Sequence, residues 1–134
     1  MDTLTHANKQ LLQTIFDGLA RGDGKAFIDG MADDIRWTLT GTNAWSGTYE
    51  GKDTVRQQLL RPLLAQFATQ YTNQARRIIG EGAWVVVECV GNVETTRGER
   101  YDNRYCWVCR VEDGKLREIT EYMDTELVAK VLVR

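Results

Sequence analysis

Leu4, Leu11, Leu12, Ile15, Phe16 and Leu19 recur at helical spacing, which predicts a first helix ending near Gly22. Asp23 then suits the N-cap of a short second helix carrying Ala26, Phe27 and Met31. Ile35, Trp37 and Leu39 alternate with Arg36, Thr38 and Thr40, the pattern of a half-buried strand. Gly41 to Gly51 reads as a loop holding Trp45 and Tyr49. A third helix from about Lys52 places Val55, Leu59, Leu60, Leu63, Leu64 and Phe67 on its apolar side. Pro62 falls inside it, where it kinks or divides a helix.

From Gln70 onward the period changes from helix to strand. Gly80-Glu81-Gly82, Arg97-Gly98 and Asp113-Gly114 mark turns between successive antiparallel strands. Val85, Val87 and Cys89 alternate with Val86, Glu88 and Val90, so both faces of that strand are largely apolar. Both are then expected to be covered, one by helices and the other by a second subunit. The last two strands run from Tyr101 to Val111 and from Lys115 to Asp124. On the first of them Tyr101, Asn103, Tyr105, Trp107, Cys109 and Val111 share one face, because side chains alternate. Helices followed by a run of strands predict an α+β fold with helices gathered on one face of a curved sheet.

Composition narrows the chemistry more than it widens it. The 134 residues suit one domain over 1–134, and a net charge of −2 without a basic cluster argues against nucleic acid. The longest strongly apolar run, Trp84-Val85-Val86-Val87, is far below the ~20 residues of a membrane span, so no membrane partner is expected. The N-terminal residues lack the pattern of a signal peptide, and the odd set Cys89, Cys106 and Cys109 suits reduced, buried thiols in a cytoplasmic protein. His6 is the only histidine and Ser46 the only serine, which leaves no material for a histidine-based metal site or for Ser-His or Cys-His catalysis. Gly47-Thr48-Tyr49-Glu50-Gly51-Lys52-Asp53 falls one residue short of a phosphate loop and has Asp53 at the magnesium-holding position.

Carboxylate chemistry in an apolar setting is what remains. Asp124 ends the last strand beside Leu127, Val128, Val131 and Leu132, and desolvation there would raise its pKa as a general acid or base requires. Asp124-Thr125 equally suits the N-cap of a C-terminal helix. Glu88 is either a second pocket acid or the partner of Arg76, Arg77 or Arg104. Strict alternation sets Thr120, Tyr122 and Asp124 on one face, opposite Ile119, Glu121 and Met123. A single bulge exchanges the two sets and makes Glu121 the pocket acid in place of Asp124.

Ala32-Asp33-Asp34-Ile35-Arg36-Trp37, Gly47 to Asp53, Glu112-Asp113-Gly114-Lys115-Leu116-Arg117-Glu118 and Glu121-Tyr122-Met123-Asp124 resemble the SnoaL-like, ketosteroid-isomerase-related proteins of the nuclear transport factor 2-like superfamily. The resemblance covers essentially the whole chain. It implies a cystatin-like cone of three N-terminal helices packed on a strongly curved antiparallel sheet, usually a homodimer, with a pocket inside. Such enzymes isomerise steroids, cyclise polyketides or open epoxides with buried acids and no cofactor. The ketosteroid isomerase base position falls here on Leu39, the oxyanion tyrosine on Ile15 and the protonated aspartate near Trp107, so steroid isomerisation of that kind is not implied. Of the limonene epoxide hydrolase set, only the last aspartate finds a counterpart, in Asp124.

The expectation is therefore a homodimer joined through its sheet, without cofactor or metal, that binds a small apolar molecule. Asp124, with Glu88 second, would serve as general acid/base in an isomerisation, hydration, hydrolysis or cyclisation. Trp37, Leu39, Trp45, Tyr49, Asn103, Tyr105, Trp107 and Glu121 would contact the substrate. A non-catalytic ligand-binding or protein-interaction module on the same fold is the competing expectation. The ligand-binding module requires that no acid with a strongly raised pKa sit inside the cone, and the interaction module requires instead a closed cone and a large exposed apolar patch.

Overall fold

The computed structural model describes residues 2–134. Helix α1 (Thr3–Leu19) opens on Asp2, whose Oδ1 accepts from the Thr5 amide at 2.7 Å. Its buried stripe includes Leu12, Ile15, Phe16 and Leu19, as the spacing predicts. Gly24, rather than Asp23, precedes helix α2 (Lys25–Gly30), and Asp23 accepts from the Lys25 amide at 3.0 Å. The chain then enters strand β1 (Met31–Leu39), with Ile35 and Trp37 turned inward.

Four residues of the expected loop form an edge strand, β2 (Gly47–Glu50), paired antiparallel with β1 from Arg36↔Glu50 to Leu39↔Gly47. The third helix, α3 (residues 52–64), is divided, as Pro62 requires. It is α-helical over Lys52–Thr54, π-helical over Val55–Leu60 and α-helical again over Arg61–Leu64. Pro62 has no N–H to donate back along the helix. The carbonyl of Gln58, four residues before it, accepts instead from Arg134 Nη1 at 2.9 Å.

Strands β3 (Thr72–Glu81), β4 (Trp84–Asn92), β5 (Arg104–Glu112) and β6 (Lys115–Met123) complete one six-stranded sheet in the order β2-β1-β6-β5-β4-β3. Every pairing is antiparallel except β1 beside β6, which is parallel. Helix α4 (Thr125–Val131) follows β6 and turns Val128 and Val131 inward.

Two bulges decide which side chains face the helices. In β6 the register passes from Val111↔Leu116 to Arg110↔Glu118, leaving Arg117 unmatched. Leu116 and Ile119, three residues apart, therefore both point inward, followed by Glu121. Arg117 is held outside by Asp34 at 2.9 Å and Glu112 at 3.4 Å. In β3, Arg76 is the extra residue between Ala75↔Cys89 and Arg77↔Glu88.

Candidate functional site

Inside the cone, between the helices and the concave face of the sheet, lies a cavity of about 630 Å³. Its apolar wall comes from α2, α3 and α4 together with Leu39, Phe67 and Met123. Four aromatic rings fix one side of it. Trp107 packs edge-on to Phe16 at 5.1 Å and to Trp37 at 5.5 Å between centroids, and Phe27 lies 5.4 Å from Trp107 and 5.5 Å from Trp37. Edge-to-face contacts of this kind set ring orientation as well as burying area.

Of the two carboxyl residues that line the cavity, Asp29 is largely exposed and paired with Lys25, and Glu121 alone is buried. Glu121 stands directly across the strand pair from Trp107 and beside Leu39 on β1. It is 7% exposed, and its Oε1 accepts from the Trp37 indole Nε1 at 3.1 Å. Among the described residues that is the side chain's one hydrogen bond, and no cation is paired with it. Burial therefore dominates and pushes its pKa up to about 8, against a smaller lowering by the Trp37 N–H. At pH 7 the group is mostly the neutral acid, poised to give up a proton and to take one back.

Asp124 and Glu88, expected as pocket acids, lie outside the cavity. The bulge at Arg117 brings Glu121 inward, and Asp124 becomes the exposed N-cap of α4, its Oδ1 accepting from the Leu127 amide at 3.1 Å. Glu88 projects from the opposite face of the sheet and pairs with Arg77 at 3.1 Å, both side chains more than half exposed. That disposition follows from β4 alternation, since Val85, Val87 and Cys89 take the inward positions.

The remaining candidates divide. Trp37, Leu39, Trp45, Tyr105, Trp107 and Glu121 all line the cavity. Tyr49 is buried behind it, its hydroxyl donating to the Trp45 carbonyl at 2.8 Å. The Arg134 guanidinium lies 4.4 Å from the centroid of the Trp45 ring and 5.7 Å from that of Tyr49. Asn103 is buried, but its amide is spent on structure. It donates to the Tyr101 hydroxyl at 3.1 Å and the Asp124 carbonyl at 3.2 Å, and accepts from the Arg104 and Asp124 amides at 2.7 and 3.1 Å. It thereby latches the end of β6 to the start of β5.

Two residues that pattern reading missed, Tyr71 and Asn73, join Tyr101 and the expected Tyr105 in a second, polar wall. Tyr71, Asn73, Tyr101 and Tyr105 line the cavity, and the Tyr71 and Tyr105 hydroxyls are 3.0 Å apart. Burial raises the pKa of both these hydroxyls well above the usual phenol value and pushes that of Tyr101 up to about 12, so all three stay protonated. Three buried polar atoms of wall residues have no hydrogen-bond partner: the indole Nε1 atoms of Trp45 and Trp107, and Asn73 Oδ1. Buried polar groups are normally paired, so each is a place where a ligand or water gains a bond. Among the described residues no group of three or more His, Cys, Asp or Glu side chains could hold a metal ion.

Helices packed on the concave face of a curved, mostly antiparallel sheet give the nuclear transport factor 2-like fold. The family model described as the SnoaL-like domain matches residues 12–119, and the chain belongs to that family. Solved structures agree on the fold. A putative SnoaL-like polyketide cyclase from a Jannaschia species superposes with a TM-score of 0.80 at 15% identity, covering 98% of this chain and 95% of that one. An NTF2-like protein of unknown function from Burkholderia pseudomallei gives 0.80 at 21% identity, over 96% and 98%. TerC, co-crystallised with polyporic acid, gives 0.77 at 21%, over 93% and 97%. No curated protein matches the chain.

Proposed function

We propose that the protein is a cofactor-free general acid/base enzyme acting on a small, largely apolar molecule held inside the cone, in a cyclisation, isomerisation or hydration. Glu121 takes the catalytic role first given to Asp124. The observation that carries this reading is a single carboxyl buried in an apolar cavity, held by one indole N–H and without a cationic partner. A structural acid in such a place would ordinarily be paired, because an unpaired buried charge is costly. A carrier without catalysis has no use for an acid desolvated in this way, so Glu121 favours the enzyme over the binding module.

In the proposed reaction the neutral Glu121 protonates a substrate oxygen as negative charge develops there. Its carboxylate, steadied by Trp37 Nε1–H, then recovers a proton from the substrate or from water, so the group ends as it began. The unpartnered Trp107 Nε1–H, across the strand from Glu121, can hold the same oxygen. A polyketide cyclase and a protein that takes up polyporic acid share this fold, which supports polyketide-like aromatics as the first compounds to try.

The test is a thermal-shift screen of aromatic polyketides, terpenes and steroids, where a ligand at 100 times its Kd should stabilise the fold by about 2.7 kcal/mol. Glu121→Gln should then abolish turnover of any compound found while keeping its affinity within about tenfold, or ~1.4 kcal/mol. Unchanged turnover would exclude the mechanism. The same proposal includes a homodimer through the outer sheet face, where Val86, Val108, Cys106 and Tyr122 are only partly covered. Sedimentation equilibrium at micromolar protein should return twice the 15.3 kDa chain mass, and a monomer would refute the dimer.

A further inference from the structure

The cavity has a second polar corner that the acid/base chemistry does not use. Asn73 on β3 is 1% exposed and its Oδ1 has no partner. The same amide lies beside the Cys89 thiol, a poor partner for it. Its cross-strand neighbour on β4 is Gly91. A methyl group at Gly91 would come within 3.1 Å of both the Tyr71 and the Tyr105 hydroxyl oxygens, so the glycine makes room for that pair. One hydrogen of the two hydroxyls is spent in their mutual contact at 3.0 Å, which leaves one to offer. The corner thus presents a free acceptor and a free donor side by side.

That combination is the complement of a hydroxyl group, which both donates and accepts. A carbonyl or ether oxygen would satisfy the tyrosine and leave Asn73 Oδ1 unpaired in the interior, at the cost that discriminates strongly against ligands lacking the expected donor. The corner is also distinct from Glu121. Asn73 stands on β3, three strands from Glu121 on β6, whereas Tyr105 stands on β5, beside β6 and two residues along from Trp107, the cross-strand neighbour of Glu121.

We propose that the corner formed by Asn73, Tyr71 and Tyr105 binds a hydroxyl group, so that the ligand is an apolar alcohol or phenol. The inference rests on the cavity being a small-molecule site, as argued above, and adds the class of molecule it selects.

Quenching of tryptophan fluorescence on titration with 4-phenylphenol, 4-methoxybiphenyl and biphenyl tests it, since Trp37, Trp45 and Trp107 line the cavity. The intact protein should bind 4-phenylphenol about tenfold more tightly than either analogue. Asn73→Leu, which removes the acceptor and keeps the volume, should bring that ratio close to one. Gly91→Ala, which pushes on both hydroxyls, should shrink it as well and serves if the Asn73 variant does not fold. Binding of all three compounds with equal affinity to the intact protein, or a ratio unchanged in the variants, would overturn the hydroxyl subsite and leave the cavity reading standing. Failure of all three compounds to bind the intact protein would overturn both.

Discussion

Glu121→Gln should change how stability depends on pH, in a direction fixed by the cavity. The unfolded chain releases the Glu121 proton near its ordinary 4.5, whereas the folded protein keeps it until about pH 8. Between those values the folded state binds one more proton than the unfolded state, so rising pH favours unfolding. The stability contribution is fully present below 4.5 and is lost progressively as pH rises through about 8. At ~1.4 kcal/mol per pH unit, the interval from 4.5 to about 8 corresponds to roughly 5 kcal/mol. The glutamine variant cannot ionise and escapes this loss. Urea unfolding of both proteins from pH 5.5 to 9 isolates the effect, because all other titrating groups cancel in the difference. The variant should gain on the wild type by about 3 kcal/mol between pH 5.5 and 8 and then hold level. Parallel stability curves would refute the assignment of Glu121 as a desolvated acid.

Two further substitutions separate the pocket acid from its neighbours. Trp37→Phe keeps an aromatic ring in the wall but removes the N–H that favours the carboxylate, so the midpoint of the Glu121 titration should move further up. A downward shift or none would mean that the indole does not hold the carboxylate. Asp124→Ala should cost about 1 kcal/mol through loss of the α4 N-cap, measured by urea unfolding, with ligand affinity unchanged. A loss of turnover without loss of stability would return Asp124 to the catalytic role.

Much of the fold is legible in the sequence because burial there follows simple periods. The α1 stripe and the inward rows of β4 and β5 face the interior where 3.6-residue and two-residue spacing put them. Pro62 likewise announces a break in α3, although only the structure shows that a π-helical turn absorbs it. The pocket acid was legible only as a pair of alternatives. Choosing between Asp124 and Glu121 depends on Arg117 lacking a partner on β5, a property of two strands together that neither strand's own alternation reports.

Asn103 and Asn73 show the same limit from opposite sides. Asn103 stood out on an aromatic strand face, yet its four hydrogen bonds all serve the junction of β5, β6 and α4. Asn73 gave no signal, because the extra residue Arg76 makes Ile78 inward and its neighbour Ile79 outward, which erases the apolar alternation of β3. Trp45 and Tyr49 looked alike as loop aromatics. The edge strand β2 separates them, one into the cavity wall and the other behind it.

The ionisation of one side chain tests the central claim most directly. Carbon-13 NMR of protein labelled at the glutamate side-chain carboxyl, with Glu121→Gln used to assign the signal, follows Glu121 through a pH titration. A midpoint near 8 is the result expected of an acid desolvated in the cavity. A midpoint near its ordinary 4.5 would mean that the carboxylate is solvated or paired, and the proposed acid/base role would fall with it.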